Sequence, residues 1–172
     1  MATKNGVRSI YHRVMPIFLK RLLQPVIHPR LTLVRLHTRY HSAGIVVSGP
    51  FAGMKFNNKY LDLPKILGTY EIELHQIFSR LRDRDYLRVV DIGAAEGYYA
   101  VGVALWNPRC SVTAYEANPI YHESIRYLAK LNNVESRLEL QGSCNEDSLN
   151  NLGDELRNAF IIVDVEGYAH LK

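Results

Sequence analysis

The first 61 residues of the chain contain no acidic residue. They carry ten of its 21 lysines and arginines, whereas residues 62–172 carry eleven basic residues and all 17 acids, a net charge of −6. The sequence also lacks an uncharged apolar run of the ~20 residues that a membrane-spanning helix needs. Its longest uncharged stretch, residues 40–54, is broken by serine, glycine and proline. We therefore expect no membrane-spanning helix.

A secretory signal and a disulfide framework are missing as well. The apolar run 14–19 has six residues and includes Pro16, which is too short for a signal peptide. The two cysteines, Cys110 and Cys144, lie 34 residues apart without a CxxC pair, which favours reduced thiols in a cytoplasmic protein. The histidines have no ligand spacing, so we expect no metal. An organelle transit peptide is the alternative interpretation of the acid-free N-terminus, although serine is sparse there.

The charge division predicts two segments, a basic N-terminal extension at 1–61 and a core at 62–172. Over residues 9–23 apolar side chains recur at every fourth position, which predicts an amphipathic helix: Ile10, Val14, Phe18 and Leu22. Such a helix either makes peripheral contact with an anionic membrane or packs on the domain behind it. Aromatic and basic residues do not interleave there, so no nucleic-acid partner is expected.

The core alternates short β-branched runs with helical patterns. After a short strand at 45–47, a helix is predicted to follow Thr69, with Tyr70, Leu74, Phe78 and Leu81 on one face. Four strands are then predicted, at 87–92, 111–115, 137–141 and 159–163. Helices at 98–106, 117–131 and 149–156 separate them. This order predicts an α/β, Rossmann-like fold with a mostly parallel sheet and helices on both faces.

Ligands of such sheets bind at the carboxyl ends of the strands. The first strand ends with Asp91 and Ile92 before the loop Gly93–Gly97, and the second ends at Glu116, where an acid is placed to accept hydrogen bonds from a ribose diol. The loop lacks the GxGxxG spacing of dinucleotide enzymes, because Ala95 holds the second glycine position. An acid beside the loop suits an ammonium group, and helix N–H groups suit a carboxylate. These features together favour S-adenosylmethionine over a nicotinamide dinucleotide.

Three strings in this order, VVDIGAAEGYYA, AYEANP and FIIVDVEG, resemble the FkbM-type branch of the class I S-adenosylmethionine-dependent methyltransferases. The match covers residues 89–167. The resemblance implies O-methylation of a hydroxyl on a sugar or small metabolite, so the expected partner is a small-molecule or glycan acceptor. It also implies that Asp164 lies where the methyl donor and the acceptor meet.

The candidate site residues fall into two groups. Those predicted to bind the cofactor are Asp91, Gly93, Ala94, Glu96, Gly97, Glu116, Ala117, Asn118, Ser143 and Cys144. Asp164 and Glu166 are the candidate catalytic carboxylates, of which either would take a proton from the acceptor hydroxyl. Glu166 is equally well explained as a turn residue. For Glu116 a solvated strand end is the less favoured alternative, given its spacing from the loop. Tyr70 and Glu71 either cover the pocket or belong to a packed helix with a solvated acid.

The resemblance also implies a sheet of seven strands in the order 3-2-1-4-5-7-6, of which this sequence supplies four. We therefore expect an incomplete catalytic domain whose fourth strand leaves an apolar edge for self-association. Alternatively, a partner chain or the N-terminal 60 residues cover that edge. Two further functions stay open: a cofactor-binding remnant without turnover, and a nucleotide-binding oxidoreductase domain.

Overall fold

The computed structural model describes residues 29–56 and 62–165, in two units, 1–41 and 42–172. The described part of the first unit, residues 29–41, belongs to α1 (Pro29–Ser42), and the predicted helix at 9–23 lies outside the described residues. The second unit contains the following elements in chain order: α2 (Leu63–Leu67), a 3-10 turn (Ile72–Leu74), α3 (His75–Arg82), β1 (Arg88–Ile92), α4 (Tyr98–Trp106), β2 (Ser111–Tyr115), a 3-10 turn (Pro119–Tyr121), α5 (His122–Leu131), a 3-10 turn (Glu135–Arg137), β3 (Leu138–Gln141), α6 (Glu146–Asn150), a 3-10 segment (Gly153–Asn158) and β4 (Ala159–Val163).

The four strands form one parallel sheet in the order β3-β2-β1-β4. Because parallel crossovers are right-handed, α4 and α5 cover one face, and the connection from β3 back to β4 crosses the other. The predicted Rossmann-like α/β fold is therefore confirmed. Its switch point lies between β1 and β4, where the strand order reverses.

The centre of the sheet is apolar because β1 and α4 are buried together. Val89 and Val90 of β1 are fully buried, and every α4 residue from Tyr98 to Ala104 is buried. The other side of α4 is packed closely as well, against the loop before the sheet: a Cβ at Gly102 would lie 2.4 Å from the ring of Phe51. The helix and the strand thus fix the loop between them, residues 93–97, above the end of the sheet.

Arg137 holds the end of α4 and the start of β2 together. Its guanidinium donates hydrogen bonds to the backbone carbonyls of Ala104 (2.9 Å), Asn107 (3.1 Å) and Cys110 (2.8 Å). Carbonyls at a helix C-terminus have no partner within the helix, so a cation that donates to three carbonyls here is a strong stabilising contact.

The segment 42–56 belongs to the core and not to a separate extension. Phe51 stacks on Trp106 with ring centroids 5.0 Å apart, and Met54 is 1 % exposed. The predicted strand at 45–47 is wrong, since the segment forms a tight loop with one antiparallel bridge, from Ile45 to Lys55. The expected boundary at residue 61 consequently falls inside the second unit, whose described part begins at residue 42.

Three predicted helices have different bounds in the structure. The one expected at 117–131 starts as the 3-10 turn Pro119–Tyr121 and is α-helical from His122. The helix expected from residue 70 is interrupted because Glu71 adopts φ 44°, and the α-helical part begins only at His75. The helix expected at 149–156 begins earlier, because Asn145 and Ser148 form a capping box. It ends before Gly153, which has φ 49°.

β4 is an edge strand among the described strands, since it pairs with β1 alone. Its side chains Ile161 and Val163 are 44 % and 63 % exposed. Self-association through this edge stays a prediction. In the described part of the chain no helix is long and apolar enough to cross a bilayer.

Candidate cofactor site

A cavity of about 740 Å³ opens at the carboxyl ends of β1, β2 and β4. Its volume lies within the ~300–1,000 Å³ typical of small-molecule sites. The structure brings nine of the predicted site residues together on its walls: Gly93, Ala94, Glu96, Glu116, Ala117, Asn118, Ser143, Cys144 and Asp164. Asp91 and Gly97 do not line it, and Glu166 lies outside the described residues.

Glu116 is fixed by the backbone of two loops. Its Oε2 accepts a hydrogen bond from the N–H of Ala95 (2.7 Å), and its Oε1 accepts one from the N–H of Asn118 (2.7 Å). The residue is 8 % exposed, so it is not an ordinary solvated strand end. Because each carboxylate oxygen has two lone pairs, both oxygens can still accept a hydrogen bond from a ligand in the cavity.

Gly93 is required where the loop after β1 passes the end of β4. It adopts φ 89°, and a Cβ there would lie 1.9 Å from the backbone oxygen of Asp164. The N–H of Asp164 in turn donates to the carbonyl of Ile92 (2.9 Å). This close approach fixes the backbone of Asp164 beside the loop and leaves the residue half-buried on the cavity wall.

Asp91 lies inside the sheet and beneath the cavity. It is 1 % exposed, and neither carboxylate oxygen has a hydrogen-bond partner of good geometry in the described part of the chain. Burial raises its pKa to about 7, and the negative charges of Asp164 and Glu116 act in the same direction, while the N–H of Ala100 opposes them. Asp91 therefore does not contact the cavity, and it is linked to Glu116 and Asp164 through electrostatic repulsion.

The sequence prediction missed the tyrosines and the lysine of the cavity wall: Lys65, Tyr98, Tyr99, Tyr115 and Tyr121. The pair Tyr98–Tyr99, which begins α4 directly after the glycine loop, is a local signal that would have indicated two of them. Lys65 has no such signal, because it lies in a helix of five residues and reaches the cavity only through tertiary packing.

Tyr70 lines the cavity, whereas Glu71 supports the wall by accepting a hydrogen bond from the hydroxyl of Tyr99. Burial and the neighbouring Glu71 raise the pKa values of Tyr70 and Tyr99 well above their ordinary range. Both phenols consequently stay protonated, and because their hydroxyls are hydrogen-bonded to Glu71, each offers a ligand an acceptor oxygen near the end of β4.

Ser143 and Cys144 form the wall beyond β3. Burial raises the pKa of the Cys144 thiol, so the side chain is neutral and suits an uncharged, flat ligand surface. Within residues 29–56 and 62–165, no group of three His, Cys, Asp or Glu side chains is placed to hold a metal ion.

The charges on the cavity wall are mostly negative. Among its described lining residues, Glu96, Glu116 and Asp164 are acidic, and Lys65 is the single base. Tyrosine rings add negative π-faces, which attract cations. The cavity is therefore suited to a ligand that carries positive charge and hydroxyl groups.

No family model matches the sequence, and no curated protein matches it. Among solved structures, the chain is similar to the O-methyltransferase TomG from Streptomyces achromogenes, involved in tomaymycin synthesis and solved with S-adenosylmethionine (23% identity, 54% of this chain and 41% of that chain, TM-score 0.41). It is also similar to precorrin-6y C5,15-methyltransferase from Geobacter metallireducens GS-15 (27% identity, 60% and 50% coverage, TM-score 0.43).

A third similar structure is coclaurine N-methyltransferase bound to N-methylheliamine and S-adenosylhomocysteine (16% identity, 83% and 50% coverage, TM-score 0.39). All three similar proteins are methyltransferases. The chain spans at most half the length of each of them. Likeness at this level leaves the function to be inferred from the cavity itself.

Proposed function

We propose that this chain is an S-adenosylmethionine-dependent methyltransferase domain that methylates a hydroxyl on a sugar or small metabolite. The observation that supports it most directly is the charge and placement of the cavity. Three carboxylates and several tyrosines surround a space at the switch point of a parallel sheet, where nucleotide-like ligands bind in this fold class.

Charge distinguishes S-adenosylmethionine from a nicotinamide dinucleotide. S-adenosylmethionine carries a sulfonium, an ammonium and a carboxylate, a net positive charge, whereas a dinucleotide carries an anionic pyrophosphate. Glu96, Glu116 and Asp164 attract the first and repel the second. An oxidoreductase function is therefore disfavoured by the electrostatics of the cavity as well as by the spacing of its glycines.

Different described residues are suited to different groups of the cofactor. Glu116, held by the N–H groups of Ala95 and Asn118, is suited to the ribose diol. Ser143 and the neutral Cys144 thiol are suited to the flanks of the adenine ring. Gly93 and Ala94 supply backbone close to the ligand. When bound, the cofactor supplies a methyl group that is transferred in line to a nucleophile.

Asp164 is proposed as the general base. It lies at the end of β4, half-buried on the cavity wall, and a carboxylate there can accept the proton of an acceptor hydroxyl as the oxygen attacks. The protonated phenols of Tyr70 and Tyr99 lie near the same negative charge. Because their hydroxyls are hydrogen-bonded to Glu71, their oxygens can orient the acceptor by accepting a hydrogen bond. Positioning of this kind supplies much of the rate of a displacement reaction.

The FkbM-type subfamily is proposed from the sequence alone. The strings DIGAAEG, YEANP and DVEG carry that resemblance, and with it the expectation of a sugar or secondary-metabolite acceptor. Peripheral membrane contact through the basic N-terminus belongs to the same proposal. Glu166 keeps its candidate role as a second carboxylate near Asp164.

Calorimetric titration tests the cofactor assignment. The wild type is expected to bind S-adenosylmethionine and S-adenosylhomocysteine but not NAD. Glu116→Ala is expected to weaken binding by about 10- to 100-fold, the effect of losing hydrogen bonds to a charged group. Glu123→Ala is the matched control, because Glu123 is exposed on α5. Absence of wild-type binding, or an unchanged affinity in Glu116→Ala, would refute the assignment. Release of S-adenosylhomocysteine with hydroxylated acceptors then separates turnover from binding alone.

A further inference from the structure

Lys65 is a charged residue that is buried. It belongs to α2, which precedes the sheet in the chain, yet the residue is 8 % exposed and reaches the cavity wall. Lysine is rarely buried unless its charge has a partner. Its position therefore requires a specific charged neighbour, and the neighbour belongs to the loop that follows β1.

That neighbour is Glu96. The Nζ of Lys65 donates a hydrogen bond to its Oε1, and the more distant Asp62 carboxylate lies 3.9 Å from Nζ. Both Lys65 and Glu96 line the same cavity. The wall there consequently presents one positive and one negative charge side by side.

Aromatic rings hold the ammonium of Lys65 in place. Its Nζ lies 4.6 Å from the ring centroid of Tyr70 and 5.6 Å from that of Tyr98. Such cation–π contacts fix the direction of a long side chain. The positive charge is thus preorganised at the cavity wall.

A ligand with a carboxylate and an ammonium on one carbon matches such a wall. An α-amino acid can place its carboxylate against Lys65 and its ammonium against Glu96, so that each charge of the ion pair gains an opposite partner. No other described residue of the cavity wall is a base, so a ligand carboxylate has one cationic partner there. The ribose candidate, Glu116, lies on the neighbouring strand end and leaves this position to the other end of the ligand.

We propose that the Lys65–Glu96 ion pair recognises the amino-acid end of S-adenosylmethionine, with Lys65 binding its carboxylate and Glu96 its ammonium. This inference rests on the proposed function, since it names residues that select the cofactor. The alternative is that the ion pair is purely structural and only joins α2 to the loop after β1. The two roles differ in how binding depends on the ligand's own charges.

Truncated ligands provide the test. Titrations compare S-adenosylmethionine, its decarboxylated analogue, which keeps the ammonium, and 5′-deoxy-5′-methylthioadenosine, which lacks the whole amino-acid end. Lys65→Met is expected to weaken binding of S-adenosylmethionine by about 10- to 100-fold and to leave the other two ligands within about threefold. Glu96→Gln is expected to weaken binding of the first two ligands and to leave methylthioadenosine unchanged.

Controls separate this role from folding. Lys65→Arg keeps the charge and is expected to retain discrimination between the carboxylated and decarboxylated ligands. Lys130→Met, an exposed substitution on α5, is expected to change nothing. Thermal melting of each variant shows whether it is folded, and the wild type's own preference for the carboxylated ligand needs no variant at all.

Two outcomes overturn the inference. If Lys65→Met weakened the binding of all three ligands equally, Lys65 would shape the cavity without contacting the amino-acid end. An unchanged affinity for all three ligands would also mean that Lys65 does not contact that end. A wild type that binds the decarboxylated analogue as tightly as S-adenosylmethionine would also refute it. Failure of the wild type to bind any of the three ligands would instead refute the proposed function.

Discussion

Replacement of Asp91 by asparagine is expected to flatten the pH dependence of stability. In the folded protein burial raises the pKa of this carboxyl to about 7, whereas the ordinary value is 3.8. Below pH ~4 both states hold the proton, and the carboxyl does not disfavour folding. As the pH rises towards 7 the unfolded chain gives up the proton first, so the folded state loses stability. Above pH ~7 both states are charged, and the loss is complete.

The size of the effect follows from the shift in pKa. A shift of about three units, at roughly 1.4 kcal/mol per unit, corresponds to about 4 kcal/mol. Domains of this size have total stabilities of ~5–15 kcal/mol, so the change is large enough to measure. The amide of the Asp91→Asn variant cannot ionise, so the variant lacks this contribution. Burying the amide adds a cost that does not depend on pH, so it shifts the variant's free energy of unfolding by the same amount at every pH and leaves the pH dependence unchanged.

Urea unfolding at intervals from pH 4 to pH 8 provides the assay, with fluorescence of the single tryptophan as the probe. Trp106 suits this purpose because it packs against Phe51 and donates a hydrogen bond to the carbonyl of Pro50 (3.1 Å). The free energy of unfolding of Asp91→Asn minus that of the wild type should rise by about 4 kcal/mol between pH 4 and pH 8. Parallel curves, or a difference that falls with pH, would refute the reasoning.

Two further substitutions test the packing around the site. Gly93→Ala is expected to destabilise by at least about 2 kcal/mol, because its Cβ would meet the backbone of Asp164 at a positive φ. Thermal melting checks it, with Gly142→Ala as the control, since nothing lies within 4 Å of a Cβ there. Arg137→Met leaves three carbonyls without their donor and should cost about 3 kcal/mol in urea unfolding. The exposed Arg126→Met on α5 should cost under about 0.5 kcal/mol, and equal losses in both would contradict the assigned role.

The strands of the core were predictable because three of them are short apolar runs bounded by turn residues and β3 alternates leucine with polar residues. The predicted bounds of β2 and β4, 111–115 and 159–163, agree with the structure. The parallel order followed from the alternation of strands and helices. Once the ends of the strands were placed, convergence of Gly93, Glu116 and Asp164 followed from the geometry of a parallel sheet.

The misplaced helices have local causes that apolar periodicity does not contain. Glu71 is a non-glycine residue in the left-handed region, a conformation that few residues adopt, so the helical pattern around it gave no warning of the interruption. The capping box at Asn145 uses Ser148 in place of the usual glutamate. In both cases a single backbone or side-chain contact outweighs the apolar spacing.

The burial of Asp91 and the position of Lys65 could not be predicted from the sequence, for tertiary reasons. The sequence placed Asp91 in the first strand and predicted that it binds the cofactor, but its side chain is buried within the sheet and does not line the cavity. Lys65 meets Glu96 across 31 positions of the chain, and no local pattern records such a contact. Contacts of this range become visible only when the fold brings the segments together.

The acids around the cavity oppose the stability of the chain in the absence of a ligand. Asp91, Glu116 and Asp164 converge at the ends of adjacent strands. The charges of Glu116 and Asp164 raise the pKa of Asp91. A sequence selected only for stability would place an apolar residue at the buried position 91. A bound cation lowers the repulsion among the three charges, so binding of a cationic cofactor should stabilise the fold and favour the charged form of Asp91. Asp91→Asn removes this buried charge, so it should weaken the cofactor's binding as well as flatten the pH dependence of stability.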